Sequence, residues 1–277
     1  MADPVALSLD LLRRLPPADV AGHVQLLSDA LPEDADELAS SVDQPLRVGI
    51  DDSAQGAGRE FLCCDYNRDG DSWRSWISNA YYPALSDAHG AVYPSSRLRE
   101  LEVRANEAFD TYRLLYYDSG LTSTYMWDLS GETVSMPEGD VPANFAGVVL
   151  FKKDTADHGT WDSLHVFEVA TAGKTAHYKL NSTVMLTLGS RTLGAVDLSG
   201  SLSRECDERL RVSDFQGHIA NLGRLVEETE SRIRNQLQEV YFGKTRDVVG
   251  LVRSRASLAA TREAARVHEE LVTGWQR

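Results

Sequence analysis

The run Cys64–Trp73, CDYNRDGDSW, holds the residues best spaced for chemistry in this chain. Asp65, Asn67, Asp69 and Gly70 match the opening of a calcium loop, D-x-[DN]-x-[DN]-G, in which alternate oxygens and a glycine turn wrap a hard cation. Such a loop closes with a bidentate carboxylate at its twelfth position. Counting from Asp65 that position is Trp76, and an indole offers no oxygen. The flanks EFLCCDY and SWRSWISNAYYP read as strand and turn, not as the two helices a calcium-binding hand needs. The stretch therefore reads as a polar reverse turn between short strands.

Other chemistry is equally thin. Gly243-Lys244-Thr245 lacks the glycine a phosphate loop carries five residues before its own; Gln238 stands there, inside a helical pattern. No G-x-S-x-G and no H-E-x-x-H occurs. His165 and His177 fall in strand candidates and could share a face, but without a third ligand they read as structural histidines. Asn181-Ser182-Thr183 fits a glycosylation acceptor, yet it sits mid-strand in a chain read as having no secretion signal. The acidic runs at Asp29–Glu37 and Glu227–Glu230 read as solvated helix faces. Cys63, Cys64 and Cys206 form neither a C-x-x-C pair nor a disulfide framework. No catalytic residue, metal or cofactor is expected, which leaves a non-enzymatic interaction protein.

At 277 residues, with 42% hydrophobic and 25% charged, the chain suits one large domain or two modest ones. No apolar run reaches membrane-span length, and MADPVALSLDLLRR does not read as a signal peptide, so a soluble cytoplasmic protein is expected. The net charge of −14 is uneven: residues 1–203 hold 15 Lys/Arg against 30 Asp/Glu, whereas residues 244–277 hold 7 against 4. That balance argues against general nucleic-acid binding, while the tail can approach an acidic partner.

The positioning elements follow from periodicity. Three short helices open the chain, with Val20, Val24, Leu27 and Leu31 on one face of the second. Residues 45–95 read as short strands and turns. A helix follows over SSRLRELEVRANEAFDTYRLLYY, with Ser96 as its cap and Leu101, Ala105, Ala108 and Tyr112 on one face. After Gly120 the period becomes two, and five strand candidates joined by Gly, Asp and Ser turns predict an antiparallel meander. SDFQGHIANLGRLVEETESRIRNQLQEVYFG predicts the longest helix, with Ile219, Leu222, Val226, Ile233, Leu237 and Val240 as its stripe. Five strands and one long helix leave an open sheet edge, which must be covered or paired. Val267, Leu271 and Trp275 recur at spacings of four in an alanine-rich tail, giving a terminal amphipathic helix that docks on its own core or is offered to a partner.

CDYNRD at Cys64–Asp69 resembles the signature of the F-actin capping protein β-subunit (CapZ β) family. LLRRLPP, SSVDQPL, RLRELEVRANEAFDTYR, WDSLHVFEV, TAHYKLNSTVML, HIANLGRLVEETESRIRNQL and EVYFGKTRDVV resemble it too, in family order, up to about Ser254. The resemblance implies an α+β fold in five parts. These are an N-terminal helical stalk (1–44), an irregular globule and helix (45–119), and a central antiparallel sheet (120–204) continued by an α subunit. A long helix across the sheet (212–243) and a short amphipathic C-terminal tentacle (251–277) complete it. The implied function is calcium-independent capping of actin-filament barbed ends by an obligate heterodimer with the capping protein α subunit, in the cytoplasmic cytoskeleton. Actin-binding residues carried over are Val267, Leu271 and Trp275 of the tentacle, which reverses the docking preference. Arg232 and Arg234 match the family's basic pair for actin and inhibitory phosphoinositides. Regulatory proteins of the family are further expected partners; nucleic acid and stable membrane insertion are not. Two departures stand out: WRSWISN lacks the family's proline, and SGETVSMPEGDVPAN reads as an insertion between Asp128 and Phe145. The alternatives are the cap subunit of the dynactin minifilament and, from another class, a calcium-binding regulatory module.

Overall fold

A computed structural model describes residues 3–12, 19–85, 92–129, 144–155, 159–188, 198–239 and Arg266. The chain divides into two compact units, Met1–Ile233 and Arg234–Arg277. Three short helices come first: α1 (Pro4–Leu12), α2 (Val20–Ala30) and α3 (Ala35–Ser41). Each is too short to be stable alone. They share a small core of Leu12, Val20 and Val24, with Leu27 and Val42 against it. Leu31, expected on the α2 face, instead caps that helix.

Short strands follow. β1 (Val48–Asp51) pairs with β2 (Arg59–Leu62). After a 3-10 turn at Asp65–Asn67, β3 (Arg68–Asp69), β4 (Ser72–Arg74) and β5 (Tyr81–Tyr82) form a second antiparallel ribbon. Gly70, at φ +59°, makes the turn between β3 and β4, a backbone state that L side chains resist. The CDYNRDGDSW run is thus a tight hairpin. Asn67 is buried and its Oδ1 accepts from both Arg74 Nε and Nη2 at 3.3 Å. That oxygen faces a guanidinium rather than a cation site.

The main sheet is a meander. β6 (Leu121–Asp128), β7 (Asn144–Asp154), β8 (Thr160–Ala172), β9 (Thr175–Leu188) and β10 (Leu198–Arg211) pair antiparallel in sequence order. β10 runs seven residues past the expected boundary at 204, because RECDERLR, charged as it is, pairs residue for residue with Thr175–Ser182. Strand pairing here outweighs the poor β propensity of its acids. Among the described residues β10 pairs only with β9, so it is a long edge.

Strand alternation gives the sheet two faces. Phe145, Val149, Phe151, Phe167, Val169, Tyr178 and Leu180 point to one, where α4 (Ser96–Tyr116) and α5 (Phe215–Leu237) cover them. Tyr125, Val148 and Leu150 point to the other, where they meet Leu46, Leu62 and Cys64. Tyr125 donates its hydroxyl to the Leu62 carbonyl at 2.7 Å, and Ser123 Oγ accepts from Leu62 N–H at 2.9 Å. Gly147 makes room for its cross-strand neighbour Phe167: a Cβ there would lie 2.4 Å from the Phe167 ring and 2.5 Å from the Tyr125 carbonyl.

Details of α4 differ from the sequence reading. Ser95, not Ser96, is the cap; its Oγ accepts from Leu98 N–H while Asp128 holds Ser95 from below. Ala108 is exposed and Phe109 takes its place in the core, since the buried face runs Leu98, Leu101, Ala105, Phe109. His165 and His177 lie on opposite faces of the sheet rather than one, because in the paired register His177 sits opposite Ala170, an odd five positions from His165. His165 is buried under α5, and His177 is bound to Asp207 on the other face.

Candidate functional site

The described part of the candidate site is α5. Asp214 caps it, accepting from Gly217 N–H at 2.8 Å. Its 23 residues make a rod of roughly 35 Å. Leu222, Leu225, Val226 and Ile233 are buried beneath it. His218 and Asn221 anchor its first turns. Tyr178 hydroxyl lies 2.8 Å from His218 Nδ1, and Asn221 Nδ2 donates to that hydroxyl and to the Arg211 carbonyl. Burial pushes His218 down to about 4, so its ring is neutral above that pH.

The carboxylates of α5 do not act alike. Glu228 is on the surface and accepts from Arg224 at 3.0 Å, which also holds Glu208 at 2.7 Å. Glu230, read from sequence as part of a solvated acidic run, has a fully buried side chain. It accepts from Tyr112 hydroxyl at 2.6 Å and Ser163 Oγ at 2.7 Å, and also from Tyr117 hydroxyl. His165 Nε2 lies 3.1 Å away, and His165 Nδ1 is 2.8 Å from Ser182 Oγ. Trp161 Nε1 donates to Tyr117 and Ser163 at the same node. A buried carboxylate is costly unless such donors surround it. The acidic run misled because a helix turns 100° per residue: Glu227 points out, Glu230 in. The signal was available, since position 230 falls between Val226 and Ile233 on the apolar stripe.

Arg232, Ile233 and Arg234 sit as the spacing predicts. Ile233 is wholly buried, Arg232 exposed and Arg234 half-buried. A plainer role for both arginines, pairing with nearby acids such as Glu228, Glu230 and Glu239, is not seen for Arg232 among the described residues. Glu228 is engaged by Arg224, Glu230 is turned inward, and Arg232 makes no ion pair among the described residues. Val267, Leu271 and Trp275 lie outside the described residues, as does the segment 130–143 that reads as an insertion. β6 and β7 frame that segment, and Leu129 N–H is 3.5 Å from the Asn144 carbonyl at its mouth.

A second polar assembly stands behind the hairpin. Arg74 and Glu102, both side chains wholly buried, form a fork of 2.9 and 2.7 Å. Glu102 also accepts from Arg99 and, at 2.7 Å, from Met126 N–H, tying α4 to β6. Nearby Asp51 accepts from Ser53, Ser75 and Ser78; burial opposes its ionisation, but these hydroxyls outweigh it and hold the carboxyl well below the usual carboxylate range. Burial pushes the Cys63 and Cys64 thiols up to about 11 and about 12, so both are inert packing groups at neutral pH. Among the described residues no group of three His, Cys, Asp or Glu is arranged to hold a metal ion, and no helix is long and apolar enough to cross a membrane.

The far face of β9 and β10 is only partly covered. A cavity of about 560 Å³ separates it from the N-terminal helices, lined by Leu12, Val20, Asp43, Thr183, Met185 and Glu205 among others.

Comparison with known proteins places this architecture. The solved structure of homodimeric actin capping protein alpha subunit from Plasmodium berghei superposes with a TM-score of 0.53 at 12% identity, covering 91% of this chain and 96% of that one. At that identity the likeness concerns the fold. Sequence relatives are nearer. F-actin-capping protein subunit beta of Emericella nidulans is 46% identical over 276 residues, spanning 98% of this chain and 97% of the relative. The Drosophila melanogaster protein of that name is 46% identical over 272 residues, spanning 95% and 92%. The Yarrowia lipolytica one is 47% identical over 269, spanning 97% of each. The family model described as F-actin capping protein, beta subunit, matches residues 5–249. With most of its length matched in this way, the chain belongs to the F-actin capping protein beta-subunit family.

Proposed function

We propose that this chain is the β half of a heterodimer that caps the barbed end of actin filaments in the cytoplasm and blocks subunit addition and loss by steric obstruction, without calcium. The observation that carries the reading is the free edge of β10, fourteen residues long and paired on one side only among the described residues. Such an edge is a template for another chain. The partly open far face of β9 and β10 supports it, since a partner seated at the edge would also cover that cavity. The partner fitting both is a capping protein α subunit. The fold likeness to a chain named as a capping protein alpha subunit supports a pair of similar halves.

In this reading α1–α3 form the stalk (1–44), residues 45–119 the globule and its helix, and residues 120–204 the expected sheet segment. Residues 212–243 carry the long helix and 251–277 the tentacle. Val267, Leu271 and Trp275 press an apolar face on terminal actin, while Arg232 and Arg234 meet acidic actin surface or phosphoinositide headgroups. Guanidinium groups suit both carboxylate and phosphate. The test is co-expression with candidate α subunits, followed by seeded actin elongation from barbed ends with calcium and with chelator. A soluble complex that stops elongation equally in both conditions is expected. A monodisperse lone chain with a cooperative melt, or a complex that leaves elongation unchanged, would refute it.

A further inference from the structure

We infer that Glu230 is the register key of α5: a positioning residue whose buried carboxylate fixes how far along the sheet the helix sits, and so where Arg232 is presented. The link to Arg232 function rests on the capping reading above; the register claim itself does not.

The apolar stripe cannot set that register. Leu222, Val226, Ile233 and Leu237 recur at helical spacing, so a slip of one turn, about 5.4 Å, exchanges one aliphatic side chain for another at most positions. Glu230 breaks the degeneracy. Four donors from two separate elements converge on it: Tyr112 and Tyr117 from the α4 end, Ser163 and His165 from β8. If the helix slips so that Glu230 takes the place of Val226, a carboxylate enters apolar packing. If it slips the other way, Val226 faces the four donors. Either way buried polar groups lose their partners, at a cost of roughly 1–3 kcal/mol each. The logic matches that of a lone polar residue fixing register in a coiled coil.

A carboxylate at this place is poorly explained by stability. Replacing a buried charge and its partners by well-packed apolar groups is often neutral or stabilising. His218 and Asn221 anchor the start of α5, twelve and nine residues earlier, but Glu230 is the anchor two residues from Arg232.

The test uses the α–β complex with spin labels at exposed Glu228 on α5 and Glu168 on β8, in a Cys206→Ser background. Glu230→Leu is expected to shift or split the label distance by up to about 5 Å, and to lower the melting temperature, since the groups around it lose their acceptor. Tyr112→Phe, which removes one donor and keeps the ring, is expected to broaden the distance distribution in the same direction. In elongation assays both variants should leave barbed ends faster, with a flatter dependence on salt than the wild type. A wild-type distance distribution in both variants overturns the register role, whatever the melting temperature does. A complex that shows the distance change but never capped as wild type refutes the capping reading alone.

Discussion

Glu102→Leu should be the most damaging single change outside the sheet core. The side chain is wholly buried and accepts two bonds from Arg74, one from Arg99 and one from Met126 N–H. Leucine fills nearly the same volume, so the loss is electrostatic rather than a cavity. It strands the Arg74 guanidinium, itself wholly buried, with Asn67 at 3.3 Å and Asn79 at 2.7 Å as its remaining acceptors. Breaking a buried pair from one side costs about 3–5 kcal/mol. The orphaned Met126 N–H is included in that range, being worth ~1–3 kcal/mol alone. Adding Arg74→Met removes the stranded charge and should return part of the loss, leaving chiefly the Met126 penalty. Urea unfolding of the purified α–β complex reads both variants. A single-variant loss below about 1 kcal/mol would refute the reasoning, because the pair would then behave as a surface ion pair. So would a double variant less stable than the single.

Changing Val267, Leu271 and Trp275 together to Ser is expected to quicken dissociation from filament ends with little change in melting temperature, since lost apolar contacts act mainly on the off-rate; a large fall in melting temperature would mean the tail helix is docked. Arg232→Ala should weaken capping and flatten its salt dependence with stability nearly unchanged, because the side chain is exposed and bridges to no acid among the described residues; equal salt slopes would remove its electrostatic role. His218 titrates near 4 folded against 6.5 as a free side chain, so the unfolded chain binds more protons between those values. Stability should therefore fall as pH drops from 6.5 towards 4 and level off below, by up to ~3 kcal/mol, and His218→Gln should flatten that limb in pH-dependent unfolding.

Much of this fold was legible because its signals are local. The change of period after Gly120 marks the meander, and the stripe through Leu222, Val226 and Ile233 marks α5. What was not legible depends on distant partners. β10 looks too charged to be a strand until Thr175–Ser182 is set beside it. Ala108 and Phe109 exchange roles because Phe109 packs on Phe151 of β7, ring centroids 6.0 Å apart, a partner 42 positions further along the chain. Glu230 betrays itself only by its place on the apolar stripe, and the convergence of donors from other elements on Glu230 and Glu102 is what explains their burial. The signature hairpin was readable as a turn from Gly70, but not as the holder of the Arg74–Glu102 fork, whose members lie 28 residues apart.

The sequential order of the main sheet bears on how the protein is made. Every strand pairs with the next one in the chain, so each can join as it leaves the ribosome, without waiting for a distant segment. The newest strand is always the open edge of the growing sheet. β10 is the last of these strands to arrive, and among the described residues α5 is the element that follows it. The edge proposed to pair with a partner chain is therefore also the last edge of the sheet to form. During synthesis the nascent sheet exposes unpaired strands whose order of appearance is set, a situation prone to aggregation. Supply of a complementary chain during or soon after translation should then raise yield more than the same amount added to the finished, purified product.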